Sequence, residues 1–209
     1  MNNSNPKCIS KIWKKTEIYG TSFYFPGSLT DGGNFSSQPT GPCLLDNISM
    51  ANPTYQEILA EIKTFSGTAH DLPALQEYCV RLMADKLPLY NWVGFYMLDP
   101  ADDQMLVLGP FRGAPTEHVR IPVSEGICGA AVAQDQTVIV EDVASDPRYI
   151  SCSIETRSEI VVPIRAYGKV VGEIDIDSHT LSAFGEEDRG FLEECAALFG
   201  AFIEAAPVA

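Results

Sequence analysis

Two cysteines and one run of acids are the residues here best equipped for chemistry. Cys152 lies in Ile150-Ser151-Cys152-Ser153-Ile154-Glu155-Thr156-Arg157-Ser158-Glu159, just ahead of the apolar run Ile160-Val161-Val162-Pro163-Ile164. Cys128 sits in a glycine frame, Gly126-Ile127-Cys128-Gly129. Downstream, Glu173-Ile174-Asp175-Ile176-Asp177 alternates acid with aliphatic. A thiol oxidised to a sulfenic acid and captured by a second thiol makes a reversible redox cycle. Crowded carboxyl groups cannot all ionise cheaply, so at least one is pushed up and can give a proton near neutral pH. Together these residues point to redox chemistry on a small molecule.

Strand parity gives the acids a common direction. In an extended segment alternate side chains share a face, so Glu173, Asp175 and Asp177 oppose Ile174 and Ile176. A solvated strand face is the ordinary reading of such alternation. Three neighbouring carboxylates repel one another, however, and a cationic ligand would relieve that repulsion. The aromatic run Trp92-Val93-Gly94-Phe95-Tyr96 behaves alike, with Trp92, Gly94 and Tyr96 on one side and Val93 and Phe95 on the other. Taken alone, Trp92 reads as a core or rim aromatic.

The elements that must carry these residues follow from periodicity. Helical spacing of apolar residues predicts helices over 55–65 and 72–87, the second with Asp71 as N-cap and Pro73 in its first turn. Strands are expected at 90–98, 105–108, 119–123 and 138–140, with a short helix of small residues at 127–133. Residues 142–158 read mostly as loop. A hairpin turning at Tyr167-Gly168 joins strands at 160–166 and 169–177. A terminal helix over 184–204 begins near Ser182, with Glu186 and Glu187 suited to its positive end. This order predicts an α+β fold: an antiparallel sheet, helices packed on one face, and a loop-covered pocket on the other.

The totals narrow the function classes. The chain has 209 residues, 45% of them hydrophobic, with a formal net charge of −14. Such a surface repels phosphate backbones and anionic lipid, so neither nucleic acid nor membrane is an expected partner. There is no 18-residue apolar run and no apolar stretch after the N-terminal lysines, so neither a spanning helix nor a secretory signal is expected. Six cysteines without a CxxC pair or zinc spacing suit a reducing, cytoplasmic compartment. Residues 1–49 differ from the rest: they are rich in Asn, Ser, Gly and Pro and carry four lysines against Glu17, Asp31 and Asp46. They are read as a disordered or non-native extension ahead of a domain at 50–209, with Met50 an equally good initiator.

Five segments taken in order resemble the free methionine-(R)-sulfoxide reductases, a family built on a single GAF domain. They are Asn91-Trp92-Val93-Gly94-Phe95-Tyr96, Leu108-Gly109-Pro110-Phe111, Gly126-Ile127-Cys128-Gly129, Glu155 through Ile164, and Gly172 through Asp177. The resemblance covers about residues 50–205. It implies Cys152 as the nucleophile on the sulfoxide sulfur and Cys128 as the thiol that captures the sulfenic acid as a disulfide. It also implies Glu159, Asp175 and Asp177 as catalytic and substrate-binding carboxylates, Trp92 and Tyr96 as pocket aromatics, no bound cofactor, thioredoxin as external reductant, and a homodimeric habit. Many relatives carry a third cysteine about ten residues before the one in the glycine frame. Here that stretch reads Pro115-Thr116-Glu117-His118, so recycling falls to Cys128 or an external thiol.

The remaining candidates are weaker. Arg157, or the backbone N–H groups of Gly126–Gly129, could supply the positive charge a thiolate needs. Cys79 and Cys195 lie in helical patterns and read as inert core. Cys8 and Cys43 belong to the extension. His118 and His179 have no partners at ligand spacing, no local metal motif is present, and phosphate-binding glycine loops are absent. A non-catalytic GAF domain sensing a small ligand, or its own disulfide, stays open beside the enzyme, because function belongs to the site rather than to the fold.

Overall fold

The computed structural model describes residues 13–18, 21–26, 52–150 and 153–206. The chain divides into two compact units, Met1–Ile48 and Ser49–Ala209. In the first, β1 (Trp13–Ile18) pairs antiparallel with β2 (Thr21–Pro26). The second holds every element expected to carry the site.

It opens with α1 (Pro53–Ser66) and α2 (Leu72–Lys86). As expected, Asp71 caps α2 by accepting from the Ala74 N–H at 2.8 Å. Then come β3 (Trp92–Asp99), β4 (Asp102–Arg112), β5 (Arg120–Pro122), α3 (Gly126–Gln134) and β6 (Val138–Val140). The unit closes with β7 (Ser158–Ala166), β8 (Lys169–Ser178) and α4 (Glu186–Ala205). The sheet runs β5-β4-β3-β8-β7-β6, antiparallel throughout. Tyr167 and Gly168 both take positive φ, 53° and 72°, the left-handed pair that a tight two-residue turn between right-twisted strands requires.

Several boundaries shift from expectation, and two of the shifts have a clear physical reason. β4 runs on through Gly109 and Pro110 instead of stopping at Leu108. The pairing with β3 slips between Gly94 and Tyr96, so Pro110 falls opposite a bulge, where its missing N–H costs no ladder bond. Helix α4 starts at Glu186 rather than at 184, and Ser182 does not cap it. Ser182 is left-handed, with φ 50°. Gly185 is the N-cap, and its N–H donates to Asp188 Oδ2 at 2.9 Å.

The two sheet faces bury different things. One packs Val93, Phe95, Ile160, Val162, Ile164, Ile174 and Ile176 against α1, α2 and α4. Each fully buried aliphatic or aromatic there contributes about 1.5–3 kcal/mol. Cys79 and Cys195, both 0% exposed, are part of this core. The opposite face carries Trp92, Tyr96, Leu106 and Val161 and is covered by Ile127, Cys128, Ala131 and Val132 of α3. Helix α3 therefore closes over the side where the acids lie.

Candidate active site

Sheet register gathers the acids that parity had only aligned. On β8, Glu173, Asp175 and Asp177 stand opposite Tyr96, Gly94 and Trp92 of β3. On their other flank they face Pro163, Val161 and Glu159 of β7. Cross-strand partners share a face, so Glu159, 14 residues upstream of Glu173 in the chain, becomes a direct neighbour of Asp177. The solvated-face reading fails here. Glu159, Glu173, Asp175 and Asp177 are 5%, 0%, 3% and 4% exposed.

Cys128 completes the group from above. It lies in the first turn of α3, and its Sγ is 3.6 Å from Asp175 Oδ2 and 4.0 Å from Glu159 Oε1. Both oxygens of Glu173, and Asp175 Oδ1, are buried without a hydrogen-bond partner. Among the described residues none of the four acids is in an ion pair. The guanidinium of Arg148, whose field reaches Glu159, is engaged bidentately by Asp146 at 3.0 and 2.6 Å.

Burial sets the protonation of this cluster. It pushes Glu173 up to about 8 against the opposing pull of the Cys128 thiol, and Asp177 to about 7 against that of the Thr156 hydroxyl. Glu159 is held well above the ordinary carboxyl range by burial and then by Asp175, Asp177 and Glu173. Asp175 is raised by burial and then by Asp177 and Glu173. The Cys128 thiol is likewise pushed up, first by burial and then by Asp175, Glu173 and Glu159. An unpartnered acid in a dry site keeps its proton until a cation arrives.

The aromatic wall is fixed by backbone contacts. Trp92 Nε1 donates to the Ala114 carbonyl at 3.1 Å, and the Tyr96 hydroxyl donates to the His118 carbonyl at 2.8 Å. Both bonds tie the β4–β5 loop to the site. The indole stacks on Phe111 with centroids 5.5 Å apart. The edge of its six-membered ring lies over Gly94, where an added Cβ would sit 2.2 Å from the nearest ring atom. Gly94→Ala must therefore expel the indole, at about 1–3 kcal/mol of overpacking. A denaturant titration should show that loss, and an unchanged midpoint would contradict this placement of Trp92.

The other expected residues are placed as follows. Arg157 is exposed; its N–H donates to the Ser178 carbonyl and its carbonyl accepts from Val143. Gly126–Gly129 open α3, as expected. His179 is 3.7 Å from Glu155 at the surface. Cys152 lies outside the described residues, as do Cys8 and Cys43. Glu173 is the acid that the family resemblance did not single out. Its signal was in the sequence, two residues from Asp175 on the same strand face.

This sheet, with α3 folded over a buried site on one face, is the architecture of a GAF domain, and a GAF-domain profile matches residues 69–204. The free methionine-R-sulfoxide reductase of Escherichia coli is 41% identical over 146 residues, covering 70% of this chain and 82% of that protein. The crystal structure of the Neisseria meningitidis free methionine-R-sulfoxide reductase, in complex with its substrate, aligns at TM-score 0.69 and 37% identity, covering 72% and 89% of the two chains. The type II enzyme of Thermoplasma acidophilum aligns at TM-score 0.60 and 37% identity, covering 68% and 94%. The chain belongs to the GAF-domain family and, within it, to the free methionine-R-sulfoxide reductases.

Proposed function

We propose that the chain reduces free methionine-(R)-sulfoxide to methionine with Cys152 as nucleophile, Cys128 as resolving thiol and thioredoxin as the electron source. The observation that carries this reading is the buried, unpaired acid cluster around Cys128, walled by Trp92 and Tyr96. A free amino acid brings the one group such a cluster lacks, an ammonium. Its binding lets one or two carboxyls ionise, while another keeps a proton for the sulfoxide oxygen. Trp92 offers an apolar surface to the methyl and methylene groups.

The electron balance closes on two thiols. Cys152 attacks the sulfoxide sulfur while a buried carboxyl among Glu159, Asp175 and Asp177 protonates the oxygen. The oxygen ends on Cys152 as a sulfenic acid and methionine leaves. Cys128 then attacks the sulfenic sulfur, forming the Cys128–Cys152 disulfide and releasing water. Reduced thioredoxin takes over the disulfide by thiol exchange and restores both thiols. No bound metal or organic cofactor enters this balance. A reducing compartment such as the cytoplasm suits the cycle. Among the described residues no helix is long and apolar enough to cross a membrane.

The test is NADPH consumption with thioredoxin and thioredoxin reductase, given separated R and S epimers of the free sulfoxide. Turnover of the R epimer alone is expected. No reduction of either epimer, even in a stoichiometric single turnover, moves the reading to a ligand-sensing or redox-sensing GAF domain. The same site predicts that peptide-bound methionine sulfoxide is reduced at least about 100-fold more slowly, since an amide nitrogen carries no charge and leaves buried acids unpaired. Comparable rates on an oxidised peptide would contradict the ammonium assignment.

A further inference from the structure

The Cys128, Glu159 and Asp175 cluster also has the geometry of a metal site. One donor atom from each lies within 4.8 Å of the other two. A tetrahedral zinc ion, about 2.3 Å from sulfur and about 2.1 Å from a carboxylate oxygen, sets an S···O edge of about 3.6 Å. The observed separations from Cys128 Sγ are 3.6 Å to Asp175 Oδ2 and 4.0 Å to Glu159 Oε1. The Asp175 distance already matches that edge, and Glu159 lies about 0.4 Å beyond it. A second observation points to a ligand here. Glu173 is 0% exposed, neither of its oxygens has a partner within hydrogen-bond geometry, and it lies close enough to the Cys128 thiol for each to shift the other. Either Glu173 or a water can take the fourth position.

We propose that Cys128, Glu159 and Asp175 bind a zinc-type divalent cation and that the bound ion inhibits the reductase. A thiolate beside two carboxylates favours zinc over magnesium or calcium, whose ligands are oxygens. On ligation the protons held by the Cys128 thiol and by the Glu159 and Asp175 carboxyls leave to solvent, and the three resulting anions gain a dication. The ion would occupy the carboxylates meant for the substrate ammonium and withdraw the resolving thiol. Cellular free zinc would then gate methionine sulfoxide recycling. The inhibitory half of this inference rests on the proposed function; the binding half does not.

Cobalt is the direct probe, because thiolate-to-cobalt charge transfer absorbs in the near ultraviolet only when sulfur is a ligand. The full chain, stripped with chelator and kept reduced, should develop this band at one cobalt per chain, and zinc should abolish it. Zinc affinity is read by competition with a chromogenic chelator. Cys128→Ser should lose the band and weaken zinc by about 100-fold or more, and Asp175→Asn by about 10-fold or more, while Cys152→Ser keeps both. Circular dichroism of each variant confirms that it is folded, and Asp175→Asn serves if Cys128→Ser is not. Absence of the band, or a band that survives Cys128→Ser and vanishes with Cys152→Ser, overturns the site. Turnover of the metal-free enzyme should fall in step with zinc occupancy and return on chelation. Zinc bound at this site with an unchanged rate overturns the inhibition. A metal-free chain that turns over no sulfoxide, yet shows the band, overturns the proposed function and upholds the metal site.

Discussion

Cys152→Ser is expected to abolish reduction of free methionine-(R)-sulfoxide, whereas Cys128→Ser should form one methionine per active site and then stop with thioredoxin present. The asymmetry comes from the environment of Cys128. Its thiol is buried and faces Asp175, Glu173 and Glu159, and both effects keep it protonated. The thiolate is the nucleophile, so a thiol held this far up is a poor first attacker. It is better suited to a sulfenic sulfur, a strong electrophile. Under the proposed mechanism the first attack falls to Cys152. Steady-state turnover of Cys152→Ser should fall by at least about 10⁴-fold, as for loss of a covalent nucleophile. Quenched single-turnover reactions, with methionine quantified against active sites, separate the two roles. Full recycling by Cys128→Ser would transfer the resolving step to an external thiol. Loss of its first turnover would make Cys128 itself the nucleophile.

The sequence and the structure divide the site between them along physical lines. Parity along a strand is local, so the common face of Glu173, Asp175 and Asp177, and that of Trp92 and Tyr96, were legible from period two alone. So were the Tyr167-Gly168 turn and the Asp71 cap, each a matter of a few adjacent residues. Register is not local. Nothing in the chain states that Gly94 stands opposite Asp175, or that Glu159 stands opposite Asp177. The burial of the acids depends on α3 lying over them, and an alternating strand by itself reads as half-solvated. For the same reason the donor group of Cys128, Glu159 and Asp175 had no sequence signature: its members come from three elements at no ligand spacing. Gly109-Pro110 read as a strand end because a proline normally interrupts a ladder. The bulge that accommodates it is a property of the β3–β4 pair and not of either strand.

The acid cluster should also make the fold itself sensitive to alkali. An unfolded glutamate titrates near 4.3. In the folded chain burial holds Glu173 up to about 8. Between those values the unfolded state has released a proton that the native state still holds, so stability falls as pH rises. The stabilisation is fully present below the unfolded value and is lost as pH climbs through the folded one. Asp177 acts in the same direction up to about 7, and Glu159 and Asp175 add to it. Moving one carboxyl from 4.5 to about 8 corresponds to an upper bound of roughly 5 kcal/mol at 1.36 kcal/mol per pH unit, which relaxation and entering water reduce. At about 2–4 °C per kcal/mol for a domain of this size, Tm should drop by about 10 °C between pH 5.5 and 8.5. Glu173→Gln removes that group's titration and keeps its shape, so its Tm should fall less steeply and exceed that of the parent chain at pH 8.5. Calorimetric scans across the window decide the point. A Tm that is flat or rising with pH would mean that the acids are ionised and compensated in the folded chain, and the proton donor assigned to the sulfoxide oxygen would have to be sought outside this cluster.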